Sequence, residues 1–154
     1  MSIALRRARP EEADALTALA IRSKAHWGYD ADFMQRCIPE LRITPEDLAH
    51  AAAAYVAEER DGPSGVYILI VRETTPTLSN LWIDPPAIGR GVGRRLWEHM
   101  LAEARAAGFD TVRLEADPNA AGFYERMGAQ HVGDAPSRVA PGRLLPVFEV
   151  TIAR

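Results

Sequence analysis

The sequence predicts a single mixed α/β domain, spanning residues 1–154, whose sheet is antiparallel in its N-terminal half. Its 154 residues are the length of one ordinary domain and suffice to bury a core. Residues 53–59 and 66–71 favour two strands joined through Asp61-Gly62-Pro63, hence an antiparallel hairpin. A strand–helix–strand–helix unit and two more strands follow, with no internal repeat or interdomain linker.

The N-terminal elements are indicated by helix start and stop signals. Asp30 can cap a second helix and Thr44 a third, with Pro45 in the first helical position. Pro39 is expected to stop the second helix, because proline disfavours the helical conformation of the residue before it. The predicted elements are an edge strand at 3–7 and helices at about 10–25, at about 30–38 and from 45 onward.

Glycines separate the elements of the C-terminal half. Gly108 is expected to end a long helix that follows the glycine turn 89–93, and Gly128 to end a short helix that Asp117-Pro118 opens. The predicted strands here lie at 78–83, 111–116, 130–133 and 144–152. The long helix lies between the first and second of these strands, and the short helix between the second and third.

Composition and charge exclude several classes of function. The net charge of −3 offers no basic surface for nucleic acid or an anionic membrane, and no apolar run is long enough to span a membrane. The single cysteine, Cys37, rules out an internal disulfide. The four histidines lack metal-ligand spacing with one another or with Cys37, so we expect no metal. The predicted location is therefore cytoplasmic, while the sequence leaves a homodimer open.

The most informative stretch is residues 81–96, where a strand enters a glycine-rich turn that leads straight into a helix. Backbone N–H groups at a helix start lack intrahelical partners, and glycines let an oxyanion approach them. Arg90, Arg94 and Arg95 add positive charge, so the turn predicts a phosphate or pyrophosphate site; a simple tight turn is the alternative. The dinucleotide fingerprint fails, because its third glycine would be Arg94 or Leu96.

A second motif follows at residues 114–129, where Asn119 stands five residues before Tyr124 on a short predicted helix. With both motifs in this order and separation, the chain resembles the Gcn5-related N-acetyltransferase (GNAT) family over residues 78–133. The turn 89–93 resembles the family's coenzyme A pyrophosphate loop. One departure is Ile88, at a position where the family usually has glutamine or arginine.

The resemblance implies a GNAT-like acyl-CoA N-acyltransferase fold with a splayed pair of parallel strands. It also implies acetyl transfer from acetyl-CoA, the co-substrate, to a primary amine of a small molecule or peptide by direct attack on the thioester. Backbone groups of 81–83 would bind the pantetheine arm as an added strand. The implied coenzyme contacts are Leu81, Trp82, Ile83, Gly89, Arg90, Gly91, Val92, Gly93, Arg94, Asn119 and Phe123.

The catalytic candidates are Tyr124 and Glu115. By resemblance, the Tyr124 hydroxyl protonates the leaving thiolate, and a phenol suits this because its pKa, about 10, exceeds the thiol's, about 8.5. Glu115 alternates with apolar neighbours and can face the cleft as general base. The alternatives are a core tyrosine and a solvated carboxylate; His26 is a further candidate base, while Asp84 and Asp117 suit turns and caps.

The acceptor pocket is expected in two segments outside the coenzyme motifs: His26-Trp27-Gly28-Tyr29 and the loop from Pro136-Ser137 to Arg143. Exposed rings favour a cleft, and the Arg143 guanidinium suits a carboxylate, hence an amino-acid-like or peptide acceptor. The candidate contacts are His26, Trp27, Tyr29, Ser137 and Arg143. Two other functions stay open at this point: a non-catalytic acyl-CoA sensor or partner domain, and a nucleotide-binding α/β module.

Overall fold

The computed structural model describes residues 3–153, and within this range the chain forms a seven-stranded mixed sheet with α-helices on both faces. The strands are β1 (Ala4–Arg7), β2 (Ala53–Glu59), β3 (Gly62–Arg72), β4 (Thr75–Ile83), β5 (Thr111–Glu115), β6 (Gln130–Pro136) and β7 (Leu144–Thr151). The helices are α1 (Ala13–Ala25), α2 (Ala31–Leu41), α3 (Pro45–His50), α4 (Val92–Ala106) and α5 (Ala121–Arg126). The sheet order is β1-β2-β3-β4-β5-β7-β6, so the predicted mixed α/β fold is confirmed.

The predicted helix starts are confirmed by their capping bonds. The Asp30 side chain accepts a hydrogen bond from the backbone N–H of Phe33 at 2.8 Å, and Thr44 forms a capping box with Asp47. The prediction that Pro39 ends α2 is wrong, since the helix continues to Leu41. Proline removes one hydrogen bond near the helix end, and the buried side chain of Leu41 holds the last turn against the core.

The core lies on both faces of the sheet. On one face, α4 packs its Leu96, Trp97 and Met100 side chains against β2, β3 and β4. On the other face, Leu16 and Leu19 of α1 pack over β2 and β3. The sheet is therefore shielded from water on both sides near its centre, and the parallel pair β4–β5 includes the central strand, β4.

The two parallel strands diverge after a short contact. Within the described residues, β4 and β5 are registered at Thr77 and Arg113. Each strand keeps its outer partner beyond that pair, because Ile83 of β4 still pairs with β3 and Glu115 of β5 still pairs with β7. A β-bulge at Ser79 of β4 marks the start of the divergence. This arrangement confirms the predicted splayed pair and leaves a gap between the strand ends.

None of the helices in the range 3–153 combines the length and apolar character needed to cross a membrane.

The N-terminal strand is fastened by a bidentate ion pair. The Arg6 guanidinium donates to both carboxylate oxygens of Glu12, at 2.9 and 2.7 Å, and also to Glu58 on β2. The backbone N–H of Arg9 donates to Glu12 at 2.8 Å. The hydrogen bond from Arg6 is the main reason that the pKa of Glu12 falls to about 2, despite an opposing effect of burial. Glu12 thus joins β1, β2 and the start of α1.

We expect Glu12→Gln to lower the free energy of unfolding at pH 7 by about 1.5–3 kcal/mol, the usual range for hydrogen bonds to charged groups. Because the folded-state pKa is depressed, this stabilisation is complete above the ordinary pKa of 4.5 and is lost as pH falls toward about 2. Urea unfolding at pH 7, 5 and 3 measures it. The control is Glu11→Gln, because the Glu11 side chain is 71% exposed. We expect it to lower the free energy of unfolding by less than about 0.5 kcal/mol, as is usual for surface substitutions. A pH-independent difference would contradict this role of Glu12.

Candidate active site

The gap between β4 and β5 opens into two cavities. The first, about 280 Å³, has one wall from α4 and α5, and we call it the helix-side cavity. The second, about 400 Å³, is bounded by α1, α2 and the loop between β6 and β7, and we call it the loop-side cavity. Both are lined by Leu78, Ser79, Trp82, Glu115, Ala116 and Asp117. The two cavities are therefore the two sides of one cleft that passes between the splayed strands.

The glycine turn presents open backbone at the start of α4. Gly89 and Gly91 have φ of +85° and +83°, left-handed values that favour glycine, and a Cβ at either would meet nothing within 4 Å. The first bond of the helix runs from the N–H of Arg95 to the carbonyl of Gly91, so the preceding N–H groups lack intrahelical acceptors. This turn fits an anionic group such as a pyrophosphate.

The third glycine has a different role. A Cβ at Gly93 would lie 3.2 Å from the Phe123 ring, so the absence of a side chain lets α5 pack closely against the start of α4. Gly93 and Phe123 both line the helix-side cavity. The close approach therefore brings the two predicted coenzyme motifs to one wall.

The arginines near the turn are arranged differently from the sequence-based expectation. Arg90 forms an ion pair with Glu59, and the Arg95 guanidinium donates to the carbonyl of Ile3. Arg126 on α5, which the sequence analysis missed, lines the helix-side cavity with its guanidinium above Gly122. The i, i+4 spacing of Gly122 and Arg126 was the available signal, since a helical side chain lies over the residue four positions earlier.

Tyr124 lies on α5 with only 8% of its surface exposed, and it lines the helix-side cavity. The rings of Phe123, Trp97 and Phe148 surround it, with centroids 5.3–5.9 Å away. Burial raises the pKa of the Tyr124 phenol well above its ordinary value of 10, and the charge of Asp117 adds to this effect. The hydroxyl therefore stays protonated across the physiological range, as a proton donor must.

Glu115 is the last residue of β5 and lines both cavities. Its exposed side chain alternates with the buried Leu114 and Ala116, as the sequence pattern predicted. Within residues 3–153 its carboxylate has no ion-pair or hydrogen-bond partner, whereas Arg113, two residues earlier, is paired with Glu149. Glu115 is thus an unpaired carboxylate at the place where the two cavities meet.

A polar network joins the end of β5 to α1 and to the β6–β7 loop. The Asp117 carboxylate accepts hydrogen bonds from Lys24 Nζ at 2.7 Å, the Tyr29 hydroxyl at 2.8 Å and the Asn119 backbone N–H at 2.8 Å. Arg143 and the Asn119 side-chain amide both donate to the Tyr29 hydroxyl, at 2.6 and 3.0 Å. Burial alone would raise the pKa of Asp117, but these donors together hold it below its usual value.

The remaining predicted site residues fall into three groups. The helix-side cavity is lined by four further predicted coenzyme contacts: Leu81, Trp82, Ile83 and Asn119. Trp27, which was expected to contact the acceptor, lines the same cavity and is 44% exposed. Ser137 and Arg143 line the loop-side cavity. The third group consists of predicted site residues, all within the described range, that line neither cavity: Gly89, Arg90, Gly91, Val92, Arg94, His26 and Tyr29. The Tyr29 hydroxyl nevertheless contacts Arg143, which lines the loop-side cavity.

Residues 3–153 contain no group of three or more His, Cys, Asp or Glu side chains arranged to hold a metal ion.

The sequence is similar to known acetyltransferases. A family model described as "Acetyltransferase (GNAT) domain" matches residues 50–128. The peptidyl-lysine N-acetyltransferase YjaB of Escherichia coli strain K12 is 36% identical over 140 residues, which cover 86% of this chain and 86% of that protein. YjaB of Salmonella typhimurium is 35% identical over 137 residues, covering 86% of this chain and 87% of that protein.

Solved structures share the fold at lower sequence identity. The PaiA N-acetyltransferase from Thermoplasma acidophilum, in complex with coenzyme A, superposes with a TM-score of 0.79 at 16% identity over 98% of this chain and 99% of that one. YncA from Salmonella typhimurium, with its cofactor acetyl-CoA, superposes with a TM-score of 0.72 at 16% identity. The match covers 100% of this chain and 96% of that one. Sequence and fold agree that the chain belongs to the GNAT family of acetyl-CoA-dependent N-acetyltransferases.

Proposed function

We propose that the chain binds acetyl-CoA in the helix-side cavity and transfers its acetyl group to a primary amine that enters through the loop-side cavity. The observation that carries this proposal is the shared wall of the two cavities, where the unpaired carboxylate of Glu115 lies. Tyr124 lines the helix-side cavity alone, so the proton donor is on the side of the leaving thiol. The proposed base, Glu115, thus lies where the amine would meet the thioester, and the proposed acid, Tyr124, lies on the side of the leaving thiol.

The coenzyme-binding role rests on three sets of backbone and side-chain groups. The edge of Leu81–Ile83 that faces β5 is available for an extended ligand to pair with, because these residues pair with β3 on their other edge. The start of α4 supplies N–H groups for the pyrophosphate, and Arg126 supplies positive charge. The side-chain oxygen of Asn119 has no donor within residues 3–153 and can accept a hydrogen bond from an amide of the pantetheine arm.

Bound acetyl-CoA supplies a thioester carbonyl and a thiol leaving group. Glu115 takes the proton from the amine as it attacks, and Tyr124 gives its proton to the sulfur as the carbon–sulfur bond breaks. From the neutral amine one proton leaves nitrogen and one joins sulfur, so one base and one acid balance the transfer; a lysine ammonium first releases one further proton to water. Holding both reactants in one cleft supplies the remaining rate enhancement by proximity.

For the acceptor we propose the side chain of a lysine in a peptide or protein, because the two YjaB proteins carry the name peptidyl-lysine N-acetyltransferase. Of the five predicted acceptor contacts, Ser137 and Arg143 line the loop-side cavity and remain proposals with this acceptor. The other three, His26, Trp27 and Tyr29, do not line that cavity and stay predictions. The acetyltransferase names of these relatives favour turnover over the non-catalytic sensor. A thiol-release assay with lysine peptides tests this, with the same peptides acetylated on lysine as controls; coenzyme binding without amine-dependent release would support the sensor. The cytoplasmic location stays a prediction.

We expect Gly91→Ala to weaken acetyl-CoA binding at least tenfold, because the methyl group would project into the open space beside the free N–H groups. The matched control is Gly108→Ala at the other end of α4, where φ is +82° and a Cβ also meets nothing within 4 Å. Both variants carry the same left-handed strain and should lose similar thermal stability. Calorimetry measures the Kd, and equal Kd values in the two variants would move the phosphate site elsewhere.

We expect Tyr124→Phe to lower kcat by about 10²–10⁴-fold, the usual contribution of a positioned acid, with acetyl-CoA Kd changed less than about twofold. The ring and its packing are retained, so folding is preserved. The control is Tyr67→Phe, which removes a buried hydroxyl bonded to His99 outside both cavities. An unchanged kcat, with chemistry established as rate-limiting, would assign Tyr124 to the core only.

We expect Glu115→Gln to lower kcat by a similar factor of about 10²–10⁴, because the amide cannot accept the amine proton. Glu73→Gln is the control, since Glu73 is another carboxylate of the loop-side cavity, in the turn between β3 and β4. Steady-state kinetics at saturating acetyl-CoA measures both variants. If Glu115→Gln retains wild-type kcat, another group or a water chain serves as the base.

A further inference from the structure

Two buried cations share one carboxylate beside the loop-side cavity. Lys24 Nζ lies 2.7 Å from Oδ2 of Asp117, and an Arg143 guanidinium nitrogen lies 3.8 Å from the same atom. The exposed fraction of the side chain is 11% for Lys24, 22% for Arg143 and 6% for Asp117. Their formal charges sum to +1 in a place largely withdrawn from water, where an uncompensated charge is costly.

Three other carboxylates line the same cavity, those of Glu40, Glu73 and Glu115, but in residues 3–153 none of them lies within ion-pair distance of Lys24 or Arg143. The Tyr29 hydroxyl accepts from Arg143 and donates to Asp117, and burial, together with Asp117, raises the pKa of Tyr29 so that it stays neutral. The Tyr29 and Phe33 rings lie against both cations, with their centroids 4.9–5.9 Å from the charged groups. Within residues 3–153, Asp117 is the one carboxylate in ion-pair contact with Lys24 or Arg143.

Both cationic residues line the cavity, and so does a residue with a hydroxyl group. Lys24, Arg143 and Ser137 all line the loop-side cavity. The Ser137 oxygen accepts hydrogen bonds from the backbone N–H groups of Val139 and Ala140, at 3.1 and 3.2 Å, which leaves its hydroxyl hydrogen available to donate. Three donors with one surplus positive charge therefore line a cavity, and this combination suits a singly charged carboxylate.

We propose that Lys24, Arg143 and Ser137 form a carboxylate site for the acceptor, so that the enzyme prefers amines bearing a carboxylate a few bonds away. This rests on the proposed function, in which the amine reaches Glu115. Because Glu115 and Asp117 are two residues apart on an extended chain, their Cα atoms are about 6–7 Å apart. The carboxylate is either the α-carboxylate of an amino acid or the acidic side chain of a residue beside a lysine.

The test compares acceptors that differ only in the carboxylate. One arm uses free amino acids and their carboxamides, and the other uses lysine peptides with Glu or Gln beside the lysine, all at saturating acetyl-CoA and about 0.15 M salt. We expect kcat/KM to favour the carboxylate member at least tenfold, mainly through KM. A preference in the first arm identifies the α-carboxylate as the ligand, and one in the second arm identifies an acidic side chain.

The variant Arg143→Met should reduce this preference at least fivefold while acetyl-CoA Kd is retained, because Asp117 keeps its partner Lys24 and the fold is preserved. Arg143→Lys should restore part of the preference. The control is Arg138→Met, since Arg138 lines the same cavity but is 60% exposed and pairs with Glu40, and the preference should persist.

Equal kcat/KM for both members of each wild-type pair would overturn the carboxylate site and leave acetyl transfer intact. An undiminished preference in Arg143→Met would also overturn it, because the carboxylate would then bind elsewhere. Bound acetyl-CoA without transfer to any amine would instead overturn the proposed function.

Discussion

The divergence of β4 from β5 is the constraint on which the site depends. Parallel strands inside a sheet normally satisfy each other's backbone groups along their whole length. Here the pair at Thr77 and Arg113 is followed by a gap, while both strands remain bonded to β3 and β7 on their outer edges. The backbone of residues 81–83 is consequently held rigidly by one neighbour and left open toward the cleft. A ligand that supplies hydrogen bonds there completes the sheet.

The end of β5 is anchored to a helix that is distant in sequence. Asp117 follows β5 and is held by Lys24 of α1, with 93 positions between them in the chain. The same carboxylate accepts from the backbone of Asn119 and so begins the turn that leads into α5. The position of Tyr124 on α5 thus depends on a buried ion pair. Removing Asp117 would leave the Lys24 charge buried without a carboxylate partner, which typically costs several kcal/mol.

How much the sequence predicted depended on the range of the interaction involved. The glycine turn, the caps at Asp30 and Thr44, and the order of strands and helices follow from local backbone preferences, which a sequence displays directly. The continuation of α2 past Pro39 was missed because burial of Leu41 outweighs the loss of one helical hydrogen bond.

Side-chain partners were the least predictable feature. The pairing of Arg90 with Glu59 bridges 31 positions, and the contact of Arg143 with Tyr29 bridges 114. The spacing of residues along a helix or strand does not predict contacts between residues so far apart in sequence. Lys24 was missed for the same reason, because a helical lysine is ordinarily exposed. Its burial goes with a bond to Asp117, a residue that is distant in sequence.

The Tyr29 hydroxyl connects the two halves of the cleft. It accepts hydrogen bonds from Arg143, which lines the loop-side cavity, and from Asn119, which lines the helix-side cavity, while it donates to Asp117. Residues that share one hydrogen-bond network do not contribute additively. The walls of the two cavities thus share one hydrogen-bond network through a residue that lines neither cavity.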